Sequence, residues 1–338
     1  MMKNYDEFHA GDVVLQSGAV LGSATLAYAT YGELNDARDN VIVYPTFFCG
    51  RHADNEWLIG EDRALDPSRY FIVVPNLLGN GISSSPSNSL ASGGAKFPFV
   101  SLYDNVRLQH RLLTERFEAR RVALAVGWSM GAQQAFHWGA LYPDYVERIA
   151  PFCGSARTSR HNFVFLEGVK AALKADQAFE QGAYRRPPTE GLKAVGRVYA
   201  GWGFSQAFYR SECDIKDLGF SSLEDFIVNF WESLFTRIDA NDLLSMLATW
   251  QAADISSNTI YHGDLAKALG SIEARALVMP CDTDLYFPPE DSAIEVGLMP
   301  NAELKVIPSI WGHSAGALGL NKADVAFIDQ AIKGLLAA

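Results

Sequence analysis

Apolar residues along this chain follow two rhythms. Short apolar runs with β-branched residues recur at positions 41–44, 70–74, 122–126, 276–279 and 304–307, the last interrupted by Lys305. Helical patterns separate them, which predicts buried parallel strands of an α/β sheet. The first forty residues instead alternate polar and apolar ("DVVLQSGAVLGSATLAYATYGEL"), as an antiparallel edge does. Near the C-terminus Val325, Ile328, Ile332 and Leu335 share one face of a last helix.

Between residues 159 and 269 the texture changes. Leu223, Phe226, Ile227, Phe230, Trp231, Leu234 and Phe235 fall at i, i+3, i+4, i+7, i+8, i+11 and i+12, an amphipathic helix. Ser222 and Asp225 have capping-box spacing at its start, and "YAGWGFSQAFYRS" nearby is crowded with aromatic residues. The expectation is a helical lid over 159–269, inserted between core segments 1–158 and 270–338. Its aromatic stripe reads first as packing, with one or two members lining the pocket beneath.

Composition then removes several classes of function. A chain of 338 residues with 49% apolar and 20% charged positions is an ordinary globular protein. Its net charge of -11 lacks the concentrated basic face that nucleic acid requires, so no nucleic-acid partner is expected. The acidic start does not read as a signal peptide, and no run approaches the ~18 apolar residues of a membrane span. Cys49, Cys153, Cys213 and Cys281 are widely spaced. They predict reduced thiols in a cytoplasmic protein, with no metal site and no cofactor.

Candidate chemistry begins at "VGWSMGAQQAFHWG". Gly127-Trp128-Ser129-Met130-Gly131 fits G-x-S-x-G, with an apolar strand before it and a helical pattern after it. That context is a nucleophile elbow: the turn is strained, and the glycines leave room where backbones approach. The helix amides favour a developing anion. Ser129 is therefore the candidate nucleophile.

A serine nucleophile needs a base and an acid. His137 lies eight residues along the same helix, roughly 12 Å away, and His9, His110, His161 and His262 read as structural or surface residues. His313, in "WGHSAG" after the last strand pattern, is placed to swing over the serine. The acid should precede it in sequence. "ALVMPCDTDLYFPPED" offers Asp284, preferred for its D-x-x-x-P turn, with Asp282 as the rival. The oxyanion donors are the N–H of Met130 and one from "VIVYPTFFCG", where Phe47 is preferred over Thr46. Loop 77–88, "LLGNGISSSPSN", lacks the third glycine and lysine of a phosphate loop and reads as turns.

These blocks, together with "YGELNDARDNVIVYPTFFCG", "RALDPSRYFIVVPNLLGNG", "FPFVSLYDNVRLQHRLL" and "FTRIDANDLLSMLATWQAADIS", resemble homoserine O-acetyltransferases from about Tyr28 to the C-terminus. The resemblance implies an α/β-hydrolase fold with a helical lid, a Ser129–His313–Asp284 triad and a homodimer through the lids. It also implies substrate contacts from Thr46, Arg197, Phe204 and Ser314. In the family an aspartate follows the catalytic histidine and holds the homoserine amine; here Ser314 stands there. Such a loss forfeits about 1.5–3 kcal/mol, roughly tenfold to 150-fold in affinity. The family's lid arginine, which pairs with the homoserine carboxylate, matches Arg197. Phe204 replaces its tyrosine, and Pro45-Thr46-Phe47-Phe48 is more apolar than the family's early loop. These departures resemble the transacetylase-like esterases, which hand the acyl group to water.

The sequence therefore predicts a carboxylesterase for small, uncharged, short-chain esters. The alternatives are acetyl transfer from acetyl-CoA to homoserine or another alcohol, and a non-catalytic binding protein on a hydrolase scaffold.

Overall fold

A computed structural model describes residues 4–89 and 93–337. Its main sheet has eight strands. β1 (Asp6–Val14) and β2 (Val20–Tyr31) form the expected antiparallel edge. β3 (Val41–Val43), β4 (Phe71–Pro75), β5 (Val122–Trp128) and β6 (Arg148–Phe152) follow. β7 (Phe179–Glu180) and β8 (Ala183–Tyr184) make a separate hairpin. β9 (Arg275–Val278) and β10 (Ala302–Leu304) close the sheet. The strand order is β1-β2-β4-β3-β5-β6-β9-β10, with every pair from β4 onward parallel. β3, β4 and most of β5 are buried on both faces, which is why their sequences are apolar without alternation.

α2 (Met130–Leu141) packs on β5 and β6, and α1 (Leu102–Arg111) packs against α2. The insertion holds α3 (Arg160–Lys174), α4 (Thr189–Gly203), α5 (Gln206–Arg210) and α6 (Cys213–Lys216). The predicted amphipathic helix is α7 (Leu223–Phe226) running through a wider π turn (Ile227–Glu232) into α8 (Ser233–Phe235). α9 (Ala240–Gln251) follows. Ser222 caps α7 by accepting from Asp225 N–H, but the Asp225 carboxylate reaches back to Ser221.

α10 (Leu265–Gly270), α11 (Pro289–Val296) and α12 (Lys322–Ala337) return to the sheet. Ile255, Tyr261, Ala268 and Leu269 join the core cluster of Val122 and Trp138, not the lid aromatics. Sequence texture drew the lid to residue 269; packing returns the chain to the sheet soon after α9. The last strand is also earlier than its apolar run, and Ile307 makes only a single bridge to Cys281.

Candidate active site

β5 leads into Ser129 and α2 leads away from it. The turn forces Ser129 to φ 58°, ψ -124°, a conformation that L residues rarely adopt. Its neighbours explain the flanking glycines. A Cβ on Gly127 would lie 2.2 Å from the Gly131 carbonyl, and one on Gly131 would lie 2.8 Å from Pro45 O. The elbow is therefore packed against both its own helix and the loop after β3. α2 is buried nearly all round, so its polar side chains are bonded inside. His137 Nδ1 meets Gln133 O at 2.8 Å, and burial holds its pKa down to about 4, consistent with a structural role.

His313 lies in the loop beyond β10, buried beside the serine. Its Nε2 is 2.9 Å from Ser129 Oγ and its Nδ1 is 2.8 Å from Asp284 Oδ2. Asp284 Oδ1 accepts from Tyr286 N–H and Phe287 N–H at 3.0 and 3.1 Å, so both carboxylate oxygens are engaged. Asp282, the rival acid, is exposed. Thr283 ties the two loops together: its hydroxyl donates to Ser309 O at 2.8 Å and accepts from Gly312 N–H at 3.1 Å. The imidazole sits between Trp128 and Tyr286, with ring centroids 5.0 and 4.3 Å away.

Met130 supplies the first amide of α2, which has no intrahelical acceptor. Phe47 N–H has no partner among the described residues, whereas Thr46 N–H donates to Pro75 O at 3.1 Å. The geometry thus favours Phe47 over Thr46 as second donor. Loop 45–52 is held from several sides. Asn55 Nδ2 donates to Tyr44 O, Gln134 Nε2 to Thr46 O, and Asn80 Nδ2 to Gly50 O.

The cavity over Ser129 is about 120 Å³, well below the ~300–1,000 Å³ of sites for drug-sized ligands. Phe47, Phe48, Trp128, Tyr199 and Trp231 give it apolar walls. Burial pushes the Cys49 thiol and the Tyr199 and Tyr286 hydroxyls well above their usual pKa, so these groups stay neutral. No metal-binding cluster of His, Cys, Asp and Glu occurs among the described residues.

Three of the four expected substrate contacts do not line this cavity. Thr46 is fully buried behind the cavity, its hydroxyl accepting from Leu77 N–H at 2.9 Å. Arg197 faces out of α4, where Glu224 and Glu232 each hold it at 2.6 Å. Phe204 is fully buried in a lid cluster, its ring 4.1 Å from that of Phe208 and 5.8 Å from that of Trp311. Ser314 does line the cavity, but its hydroxyl donates to Gly203 O at 2.9 Å, tying the histidine loop to the end of α4.

Two residues were passed over in the sequence. His52 is buried against Asn76, which also accepts from the His52 N–H. Asp54, on the turn His52–Leu58, lines the cavity itself. Neither has a periodic signal; only the nearness of "RHADNEW" to the oxyanion loop pointed their way.

Residues 41–318 match the alpha/beta hydrolase fold family. Ethyl acetate hydrolase of Pseudomonas veronii is 41% identical over 330 residues, covering 96% of this chain and 93% of its own. The acetyl esterase MekB superposes with a TM-score of 0.95 at 39% identity, over 99% of this chain and 97% of that one. A homoserine O-acetyltransferase of Trichormus variabilis is more distant, 30% identical over 334 residues, with 94% and 89% covered.

Proposed function

The chain belongs to the alpha/beta hydrolase fold family, and from that premise we propose that it is a carboxylesterase that hydrolyses short-chain, acetate-type esters. The single observation that carries the reading is the continuous chain Asp284–His313–Ser129, with contacts of 2.8 and 2.9 Å, opening onto a small apolar cavity.

Ser129 Oγ attacks the ester carbonyl while His313 Nε2 takes its proton. Asp284 orients the imidazole and stabilises the imidazolium. The N–H groups of Met130 and Phe47 hold the oxyanion, each contributing about 3–4 kcal/mol. His313 then gives its proton to the departing alkoxide, and the alcohol leaves. Water loses a proton to His313 and attacks the acyl-serine; as acetate leaves, His313 returns that proton to Ser129 Oγ and the starting state is restored. No step calls for a cofactor.

Water as acceptor is supported by what faces the cavity. The groups expected to hold an amino-acid alcohol are occupied elsewhere: Arg197 by two glutamates, the Ser314 hydroxyl by Gly203 O. No Lys or Arg lines the cavity among the described residues. Two coarser readings go with this one. A homodimer through the lids is supported by Leu223 and Leu234, 51% and 40% exposed on one lid helix; sedimentation equilibrium checks it. A cytoplasmic location is supported by four unpaired cysteines. No helix among the described residues is long and apolar enough to cross a membrane.

The deciding experiment supplies ethyl acetate, and separately acetyl-CoA, each with and without homoserine, and quantifies acetate and O-acetylhomoserine. Acetate from ethyl acetate, indifferent to homoserine, is expected. O-acetylhomoserine as main product would overturn the hydrolase in favour of the transferase.

A further inference from the structure

Among the described residues that line the cavity, Asp54 is the only carboxylate, and no lysine or arginine accompanies it. Its Oδ2 accepts from Arg51 N–H at 2.8 Å, which fixes the side chain on the turn His52–Leu58. Its Oδ1 has no hydrogen-bond partner among the described residues, and Asp54 forms no ion pair with them. The surrounding wall is aromatic, with Trp128, Tyr199, Phe230 and Trp231 on the same cavity. The reaction described above does not use this charge.

A single carboxylate without an ion-pair partner, partly exposed in a small cavity with aromatic walls, acts on any charge brought beside it. A cation gains Coulomb attraction and contact with aromatic faces. An anion is repelled and finds no basic group to offset the cost. A neutral ester feels little of either. Resting on the esterase reading, we propose that Asp54 is a specificity-determining residue of this site. It favours esters whose alcohol carries a positive charge, accepts neutral ones and rejects anionic ones, polyphosphorylated acyl thioesters included. The competing explanation is that Asp54 serves only to cap its turn through Arg51 N–H.

The test compares kcat/KM for acetylcholine, for 3,3-dimethylbutyl acetate (the same shape with carbon in place of the charged nitrogen) and for 2-sulfoethyl acetate. Asp54→Asn keeps an oxygen for Arg51 N–H and removes only the charge. The unaltered protein is expected to prefer the cationic ester to its neutral isostere. That ratio should fall about tenfold in Asp54→Asn, and Asp54→Lys should put the anionic ester ahead. Taking ratios within each variant removes any general loss of activity. Repeating them in about 0.5 M salt removes the long-range pull of the net -11 charge but spares a contact inside the cavity.

A ratio unmoved by Asp54→Asn, with the neutral isostere still hydrolysed, overturns the inference and leaves the esterase reading intact. Should Asp54→Asn fail to fold, a ratio of one or below in the unaltered protein overturns it just as well. If the unaltered protein hydrolyses neither ethyl acetate nor the neutral isostere, the esterase reading falls and this inference falls with it.

Discussion

Trp128 holds His313 in two ways at once. Its indole lies nearly parallel to the imidazole, 28° between planes, and its Nε1–H donates to the His313 carbonyl at 3.0 Å. The variable position of the G-x-S-x-G motif therefore links the strand before Ser129 to the loop that carries His313. In the proposed mechanism the stacking also favours the imidazolium that forms during attack.

Trp128→Phe keeps an aromatic face but loses the hydrogen bond. With the loop less firmly set, kcat for ethyl acetate should fall about tenfold, the worth of one such bond, while KM changes little. A rise in KM at constant kcat would show that Trp128 acts as cavity wall alone.

The choice between the two acids is open to direct test. Asp284 is 5% exposed and engages His313 and two backbone amides. Asp282 points to solvent. Asp284→Asn should lower kcat by about 10⁴, because the imidazole is then held in the wrong tautomer. Asp282→Asn should stay within about twofold of the parent, since surface changes away from the reacting groups are nearly neutral. Equal losses in both variants would refute the assignment.

Ser129, His313 and Asp284 were legible in the sequence because each follows an apolar strand run, in an order the fold imposes. β6 was missed, since "RIAPF" is short and carries Arg148 and Pro151. The placement of the lid residues was not legible, for a different reason. Helical periodicity shows that α4 has faces, but not which face meets the cavity. Tyr199 and Gly203 do, while Arg197 points away. Phe204 lies just past the helix end in extended backbone, and so turns into the lid cluster instead of following the helix face.

That correction predicts how Arg197 and Phe204 behave when changed. Arg197→Ala removes an outward ion-pair cluster, so kcat/KM for ethyl acetate should remain within about twofold. Its Tm should drop, because Glu232, 8% exposed, loses its cation. Phe204→Tyr adds a hydroxyl to a fully buried ring and should cost about 1–3 kcal/mol of stability without conferring homoserine binding. Homoserine affinity gained by the tyrosine, measured by calorimetry, would put residue 204 back in the cavity.

A last expectation concerns pH and a residue outside the chemistry. Glu295, on α11, is buried with Oε1 accepting from Ala156 N–H at 2.9 Å and Oε2 unpartnered. Burial raises its pKa to about 8; Asp291 adds to the rise and Arg157 opposes it. The native state then keeps a proton that the unfolded chain releases near pH 4.3. Between those values the folded protein binds more protons, so this group makes stability fall as pH rises. Glu295→Gln keeps an oxygen for Ala156 and cannot ionise. Its Tm should nearly match the parent's at about pH 5 and exceed it by a few degrees at about pH 8. A Tm difference that stays constant across that window would mean Glu295 is ionised in the native protein, and that another group must neutralise it.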